Sequence, residues 1–289
     1  MELTTETTAR LAHLDDALRA TGSLLVAFSG GADSAFLLAA AVRALGVDAV
    51  VAATAVSPSL ARAELPAAAA YARGLGVRHL TPGTDELARP GYVANGPDRC
   101  FHCKATLLDT LRPLAAGLGL AGVATGTNAD DAVAGFRPGI RAAADRGALT
   151  PLLDAGLTKA EIRAVSASWG LVTADKPALA CLASRIAYGL QVTTAGLARV
   201  DRAETALRAA LGPVRDLRVR DLGDGRARVE LDPAAFARWD AAAEQVVRGS
   251  GFDAVTAGPF RSGSMNDALA AAGGGQEAEQ GEGEAHREQ

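Results

Sequence analysis

One glycine turn and three cysteines hold the residue types best suited to chemistry. Ser29-Gly30-Gly31-Ala32-Asp33-Ser34 lies between an apolar run, Leu24 to Phe28, and an alanine-rich segment, Ala35 to Leu45, so it reads as a strand-to-helix turn. Two adjacent glycines let the backbone approach a ligand closely and adopt positive φ, and the following helix N-terminus offers unpaired N–H groups. That is a seat for an anion, most often phosphate. Ser29 and Ser34 add hydroxyl donors, while Asp33, an anion beside an anion site, makes sense mainly where Mg²⁺ bridges it to phosphates. The plainer reading is a glycine turn with a Ser/Asp helix cap.

Cys100-Phe101-His102-Cys103 stands at the start of a helix expected from about Lys104 to Leu118, and i, i+3 side chains share a helix face. Alone, this spacing suits zinc, an iron–sulfur cluster, a redox dithiol or plain packing. Cys181 is the other thiol, flanked by Ser184 and Arg185, which suit an activated substrate. Three thiolates on a four-iron cluster leave one iron open to hold an extra sulfide. Zinc would need a fourth ligand, and His102 lies off the Cys100/Cys103 face.

Further polar positions follow. Gly126-Thr127-Asn128-Ala129-Asp130-Asp131 comes directly after an apolar strand, placed to complete a nucleotide site. Arg137 and Arg141 on a Pro-Gly turn could clamp phosphate or carboxylate. Arg218 and Arg220 alternate on a strand and share a face, and Arg261 sits in the stretch 259–267. Capped turns and solvated surface charge are the plain readings of these, and of Glu204 and Glu230.

The elements that must position these residues alternate. Strands are expected at Ala49–Ala55, Val77–Leu80 and Gly122–Thr125, with helices at Thr4–Ala20, Ala63–Leu75 and Lys104–Leu118. This alternation predicts an α/β doubly wound parallel sheet with ligands at the carboxyl ends of its strands. The helix Thr4–Ala20 packs outside the sheet with no functional content. Thr158 and Glu161 have capping-box spacing ahead of a helix over Leu157–Gly170. Past Pro177 the alternation loosens into a helix at Arg199–Leu211, antiparallel strands Val214–Asp221 and Arg226–Leu231 about a Gly-Asp-Gly turn, and a helix at Pro233–Val247. The expected organisation is a first domain over 1–177, a smaller α+β domain over 178–268 and a disordered tail over 269–289, where from Ala270 onward only Ala represents the aliphatic and aromatic residues.

The chain has 289 residues, a formal net charge of −4 and three cysteines. That balance argues against a nonspecific nucleic-acid binder and favours a small charged partner. No apolar run reaches membrane-spanning length, so a cytoplasmic protein is expected, and an odd cysteine count argues against a disulfide framework. A homo-oligomer is expected.

SGGADS at 29–34 resembles the SGGxDS loop of the PP-loop (N-type) ATP pyrophosphatases, which cleave ATP to AMP and pyrophosphate. Together with GTNADD at 126–131, FRPGIRA at 136–142, ACLASR at 180–185 and FRSGSMND at 260–267, it gives the chain a resemblance to the LarE family over nearly everything from Leu24 to Asp267. These are sulfur-insertion enzymes that build the nickel-pincer nucleotide cofactor of lactate racemase. The resemblance implies adenylylation of a carboxylate of pyridinium-3,5-biscarboxylic acid mononucleotide and its conversion to a thiocarboxylate. It implies that Ser29, Gly30, Gly31, Asp33 and Ser34 hold the phosphates of Mg²⁺-ATP, that Gly126, Thr127 and Asn128 take the adenosine side, and that Ser184, Arg185, Arg218, Arg220 and Arg261 meet the substrate nucleotide or pyrophosphate. Cys181 matches the sulfur-donating cysteine of the sacrificial members. Those members lack the Cys100/Cys103 pair, and by the resemblance this chain falls instead with a second group whose three cysteines carry a 4Fe–4S cluster. The sulfide source stays open. The rivals are a tRNA thiolation enzyme of the PP-loop class, for which no basic surface or RNA module is evident, and a nucleotide-binding regulatory protein with a structural zinc.

Overall fold

The structure, a computed structural model, describes residues 3–133, 137–177, 180–261 and 263–266. These divide into two compact units: the first holds the described residues of Met1–Val93 and Asp98–Cys181, the second those of Ala94–Pro97 and Leu182–Gln289.

In the first unit, β1 (Leu24–Ala27), β2 (Val50–Ala53), β3 (Arg78–Leu80) and β4 (Val123–Thr125) form a parallel sheet in the order β3-β2-β1-β4. Its helices are α1 (Thr5–Thr21), α2 (Ala32–Leu45), α3 (Glu64–Gly74), α4 (Pro90–Val93), α5 (Arg99–Gly117), α6 (Ala129–Val133), α7 (Pro138–Ala144), α8 (Pro151–Asp154) and α9 (Lys159–Ser168). Strands covered on both faces read as unbroken apolar runs. Leu24 and Val26 point into one core with α1, α2 and α9, while Leu25 points into another with Ala53, Val123 and Leu108 of α5. The strand order therefore turns between β1 and β4. In open α/β sheets a ligand sits in the crevice at that reversal.

The alanine-rich α2 buries Ala35 through Ala41, because it lies between the sheet and the helices outside it, and Phe36 stacks on Trp169 with ring centroids 5.1 Å apart. α5 begins at Arg99, earlier than the sequence suggested, so Cys100 and Cys103 fall within its opening turn. Among the described residues no helix is long and apolar enough to cross a membrane.

The second unit has a three-stranded mixed sheet, β5 (Leu217–Asp221), β6 (Arg226–Leu231) and β7 (Ala254–Pro259), in the order β5-β6-β7. β5 and β6 pair antiparallel across a turn in which Gly223, Asp224 and Gly225 all have positive φ, and β7 joins β6 in parallel. α10 (Thr194–Leu211) packs on β5 and α12 (Ala241–Arg248) on α10, with the short α11 (Pro233–Phe236) beside β6. The single helix expected over Pro233–Val247 is two, because the Asp240 side chain accepts the Ala243 N–H at 2.8 Å and starts a new helix there. Ala94–Pro97 joins this unit through Asn95, whose carboxamide donates to the carbonyls of Ala187 at 2.8 Å and Leu190 at 2.9 Å.

Candidate active site

A cavity of about 360 Å³ opens in the first unit at the carboxyl ends of β1, β2 and β4. The glycine loop forms one wall. Gly30 has φ 74°, which favours glycine, and the loop is held from within: Ser34 Oγ donates to the Gly31 carbonyl at 3.2 Å and lies 3.1 Å from Ser29 Oγ. The two serines thus shape the turn as well as lining the cavity. The loop after β4 lies against the first turn of α2. A Cβ on Gly126 would stand 2.8 Å from the Ser34 backbone nitrogen, so only glycine fits. Thr127 lines the cavity, whereas Asn128 is buried and exchanges hydrogen bonds with Asp131, its Oδ1 accepting the Asp131 N–H at 3.2 Å. Its Nδ2 is left without a partner.

Asp33 is the polar centre of this wall. Its Oδ1 is buried with no hydrogen-bond partner among the described residues, and its Oδ2 lies 3.6 Å from Lys159 Nζ. Burial pushes its carboxyl up from the ordinary value, Lys159 pulls it down and Asp131 raises it again. Asp131 also lines the cavity. Among the described residues no three His, Cys, Asp or Glu side chains stand together as a ready metal cage. An orphaned carboxylate oxygen with a second acid nearby instead fits a divalent ion that takes its other oxygens from a bound phosphate, as Mg²⁺ does.

Four cations also line the cavity, and the sequence reading missed them. Lys104, Lys159, Arg163 and Lys176 all line the cavity. Lys176 Nζ donates to the Gly30 carbonyl at 2.9 Å and to Glu64 Oε2 at 3.0 Å. Arg163 donates to the carbonyls of Ala174 at 2.6 Å and Lys176 at 2.7 Å, fixing the segment that carries Lys176. Lys159 and Arg163 stand on α9, whose start is a capping box: Thr158 Oγ1 accepts the Glu161 N–H and Glu161 accepts the Thr158 N–H. Glu161 also takes Thr7 Oγ1 at 2.9 Å and Arg10 at 2.7 Å from α1. The expectation that α1 has no functional content is therefore corrected, since it props the helix bearing two of the cations. Burial pushes the Glu161 carboxyl up, but its hydrogen bonds from Thr158, Arg10 and Thr7 outweigh this and hold it at about 2.

The three thiols belong to this unit as well. Burial pushes the Cys100 and Cys103 thiols up, and the Cys181 charge adds to both shifts. Burial also pushes the Lys104 ammonium down, against the pull of Cys103, Cys100 and Asp131, and Lys104 lines the cavity as well. The three thiols feel one another's charge, although among the described residues they do not stand together as a ready metal cage. His102 is engaged elsewhere, with Nε2 3.1 Å from Asp98 Oδ2 and its ring against Gly91. A Cβ on Gly91 would come 2.1 Å from that ring.

Arg137 and Arg141 do not line the cavity. Pro138 opens α7 rather than a turn, which puts Arg137 before the helix, 3.9 Å from Asp131, and lays Arg141 over the Phe101 ring at 4.8 Å. Phe136 lies outside the described residues.

In the second unit the late arginines cluster. Arg185 meets Glu204 twice, Nε to Oε1 at 2.9 Å and Nη2 to Oε2 at 3.3 Å, and donates to Ser184 Oγ at 3.1 Å. Arg220 meets Glu230 at 2.9 Å and the Ser184 carbonyl at 3.1 Å, while Ser264 Oγ donates to Glu230 at 2.7 Å. Arg218 shares the β5 face, donates to the Leu217 carbonyl at 2.7 Å and lies over Phe260. Burial, then the neighbouring Arg185, pushes its guanidinium down to about 10. The plain reading of Arg218, Arg220, Glu204 and Glu230 as solvated surface charge is overturned, since all four are buried, as is Arg185. Arg261 is exposed.

No family model matches the sequence. The chain is 46% identical over 209 residues to the uncharacterized protein slr1717 of Synechocystis sp., covering 72% of this chain and 76% of that one. It is also 34% identical over 272 residues to the pyridinium-3,5-bisthiocarboxylic acid mononucleotide synthase of Lactiplantibacillus plantarum, covering 92% of this chain and 96% of the relative. The chain belongs to the LarE family.

Proposed function

We propose that the protein is an ATP-dependent sulfur transferase that adenylylates a carboxylate of pyridinium-3,5-biscarboxylic acid mononucleotide and converts it to a thiocarboxylate. The observation that carries this is one cavity at the strand-order reversal lined by a glycine loop, Asp33 with its orphaned oxygen and four cations. The printed name of the Lactiplantibacillus relative supplies the substrate class.

In this assignment the loop N–H groups, Lys159 and Lys176 hold the triphosphate, and Asp33 and Asp131 would hold a Mg²⁺ ion, which when bound would supply positive charge beside the phosphates. Gly126, Thr127 and Asn128 take the nucleoside side. The substrate carboxylate attacks the α-phosphorus, the bond to the β-phosphate oxygen breaks, and pyrophosphate leaves with its electron pair. Charge on the phosphorus is met by the loop N–H groups and the lysines. A hydrosulfide-level sulfur then attacks the acyl carbon, and AMP leaves as the carbon–sulfur bond forms. Arg185, Arg218, Arg220 and Arg261 with Ser184 recognise the substrate's own phosphate in the second unit.

Cys100, Cys103 and Cys181 would hold a 4Fe–4S group, which when bound supplies an open iron for a transferable sulfide. Lys104, which lines the cavity and feels the charge of Cys103 and Cys100, neutralises the sulfur as it approaches the acyl carbon.

Anaerobic incubation of the iron-reconstituted chain with ATP, sulfide and the dicarboxylate, read by mass spectrometry of small molecules and protein, tests this. Pyrophosphate, AMP and thiocarboxylate are expected, with the chain mass unchanged. Loss of hydrogen sulfide from Cys181 in step with product, with Cys100→Ala and Cys103→Ala still active, would restore the sacrificial route. No pyrophosphate with any carboxylate would overturn the function.

A further inference from the structure

Tyr92 carries a hydroxyl that the mechanism above does not use. It lies on α4 with 1% of its surface exposed, and its Oη has no hydrogen-bond partner among the described residues. Its polar neighbours are engaged elsewhere: Ser59 Oγ shares a hydrogen bond with Ser57 Oγ at 2.8 Å, and Glu86 accepts from Thr84 Oγ1 at 2.8 Å. Buried polar atoms in folded proteins nearly always have partners, so an orphaned donor calls for a ligand that would complete it.

The packing indicates where such a ligand sits. α4 packs against α5, and the Gly91 backbone lies against the His102 ring, which brings Tyr92 to the turn of α5 that carries Cys100 and Cys103. Cys181 and Cys103 both act electrostatically on its hydroxyl. A neutral thiol accepts hydrogen bonds weakly, whereas an anionic sulfur accepts them well.

We propose that Tyr92 is a positioning residue for the transferred sulfur, its Oη–H donating a hydrogen bond to the anionic sulfur gathered by Cys103 and Cys181; this rests on the sulfur-transferase reading above. No proton is transferred. The bond fixes the direction of the sulfur and stabilises its negative charge. Outer hydrogen bonds of this kind set the potential and the holding of a metal–thiolate centre.

Tyr92→Phe in the full chain removes the oxygen and keeps the ring. Because the oxygen has no hydrogen-bond partner among the described residues, the metal-free variant is expected to melt no lower than the wild type; a lower melting temperature would mean a packing role and overturn the proposal. After anaerobic loading with iron and sulfide, the variant is expected to lose iron to a chelator roughly tenfold faster. Its midpoint potential should fall by about 59 mV for each tenfold loss of preference for the reduced form. Ser59→Ala should leave both at the wild-type values. A Tyr92→Phe protein matching the wild type in iron loss and potential overturns the inference while leaving the transferase reading intact. Should the wild type take up no iron, the cluster assignment falls, and the hydroxyl is read on the bare thiols. Iodoacetamide should then alkylate Cys103 and Cys181 several-fold more slowly in Tyr92→Phe at mildly alkaline pH, and equal rates would overturn the proposal.

Discussion

The two units handle charge in opposite ways. In the first, Lys159, Lys176 and Arg163 are held by single carboxylates or backbone carbonyls, and they face a cavity. In the second, Arg185 and Arg220 are closed onto Glu204 and Glu230 with both partners buried. A cation held by a carbonyl can turn to an incoming phosphate with little loss. A guanidinium locked to a buried glutamate can meet a ligand only through its remaining N–H groups, and removing it leaves an uncompensated charge. The first arrangement suits turnover; the second builds a rigid frame that also offers charge.

The sharpest way to break this contrast is Asp33→Asn. It should cut ATP-dependent pyrophosphate release by more than about 100-fold, the scale of losing a preorganised electrostatic group, with the melting curve unchanged. Unchanged release would remove Asp33 from the metal-phosphate step. Arg185→Ala should act the other way, costing about 3–5 kcal/mol of stability through the stranded Glu204, read by urea unfolding. A loss below about 1 kcal/mol, the range of a solvated ion pair, would put Arg185 with the first unit's cations.

Gly126→Ala comes next. The added methyl must displace the Ser34 backbone, which it would approach to 2.8 Å, so ATP affinity measured by calorimetry should fall about tenfold, or roughly 1.4 kcal/mol. Native affinity would mean that the two loops can part without harm to the seat. The smallest effect concerns pH. Glu161 is held at about 2, below its ordinary value of 4.5, so its contribution to stability is present above pH 4.5 and is lost as pH falls toward 2. Thr158→Ala should flatten that acid limb, and an unchanged limb would assign it to other carboxylates.

The first unit was largely legible in the sequence. β1 and β4 are short apolar runs closed by glycine turns, and Thr158 and Glu161 have the spacing of the capping box they form. The cations were not legible. Lys104, Lys159 and Lys176 have the periodicity of ordinary solvated helix and loop residues, and the fold brings them to one cavity from segments far apart in the chain. Glu204 and Glu230 were misread for a related reason, since a lone acid on an amphipathic helix or strand carries no local mark of the arginine it will meet. β7 escaped because Ala254-Val255-Thr256-Ala257-Gly258-Pro259 has little β-branched content, and its pairing with β6 is set by the crossover through α12.

The contact from Thr7 and Arg10 to Glu161 joins residues 154 and 151 positions apart. It makes the chain's beginning a foundation for the nucleotide cavity. A truncation that removed α1, chosen because it touches no ligand, would free the acid that starts α9 and loosen Lys159 and Arg163 together. A bulky group attached before α1 would press on the same support. Shortened forms of this protein should be judged by nucleotide affinity as well as by whether they fold.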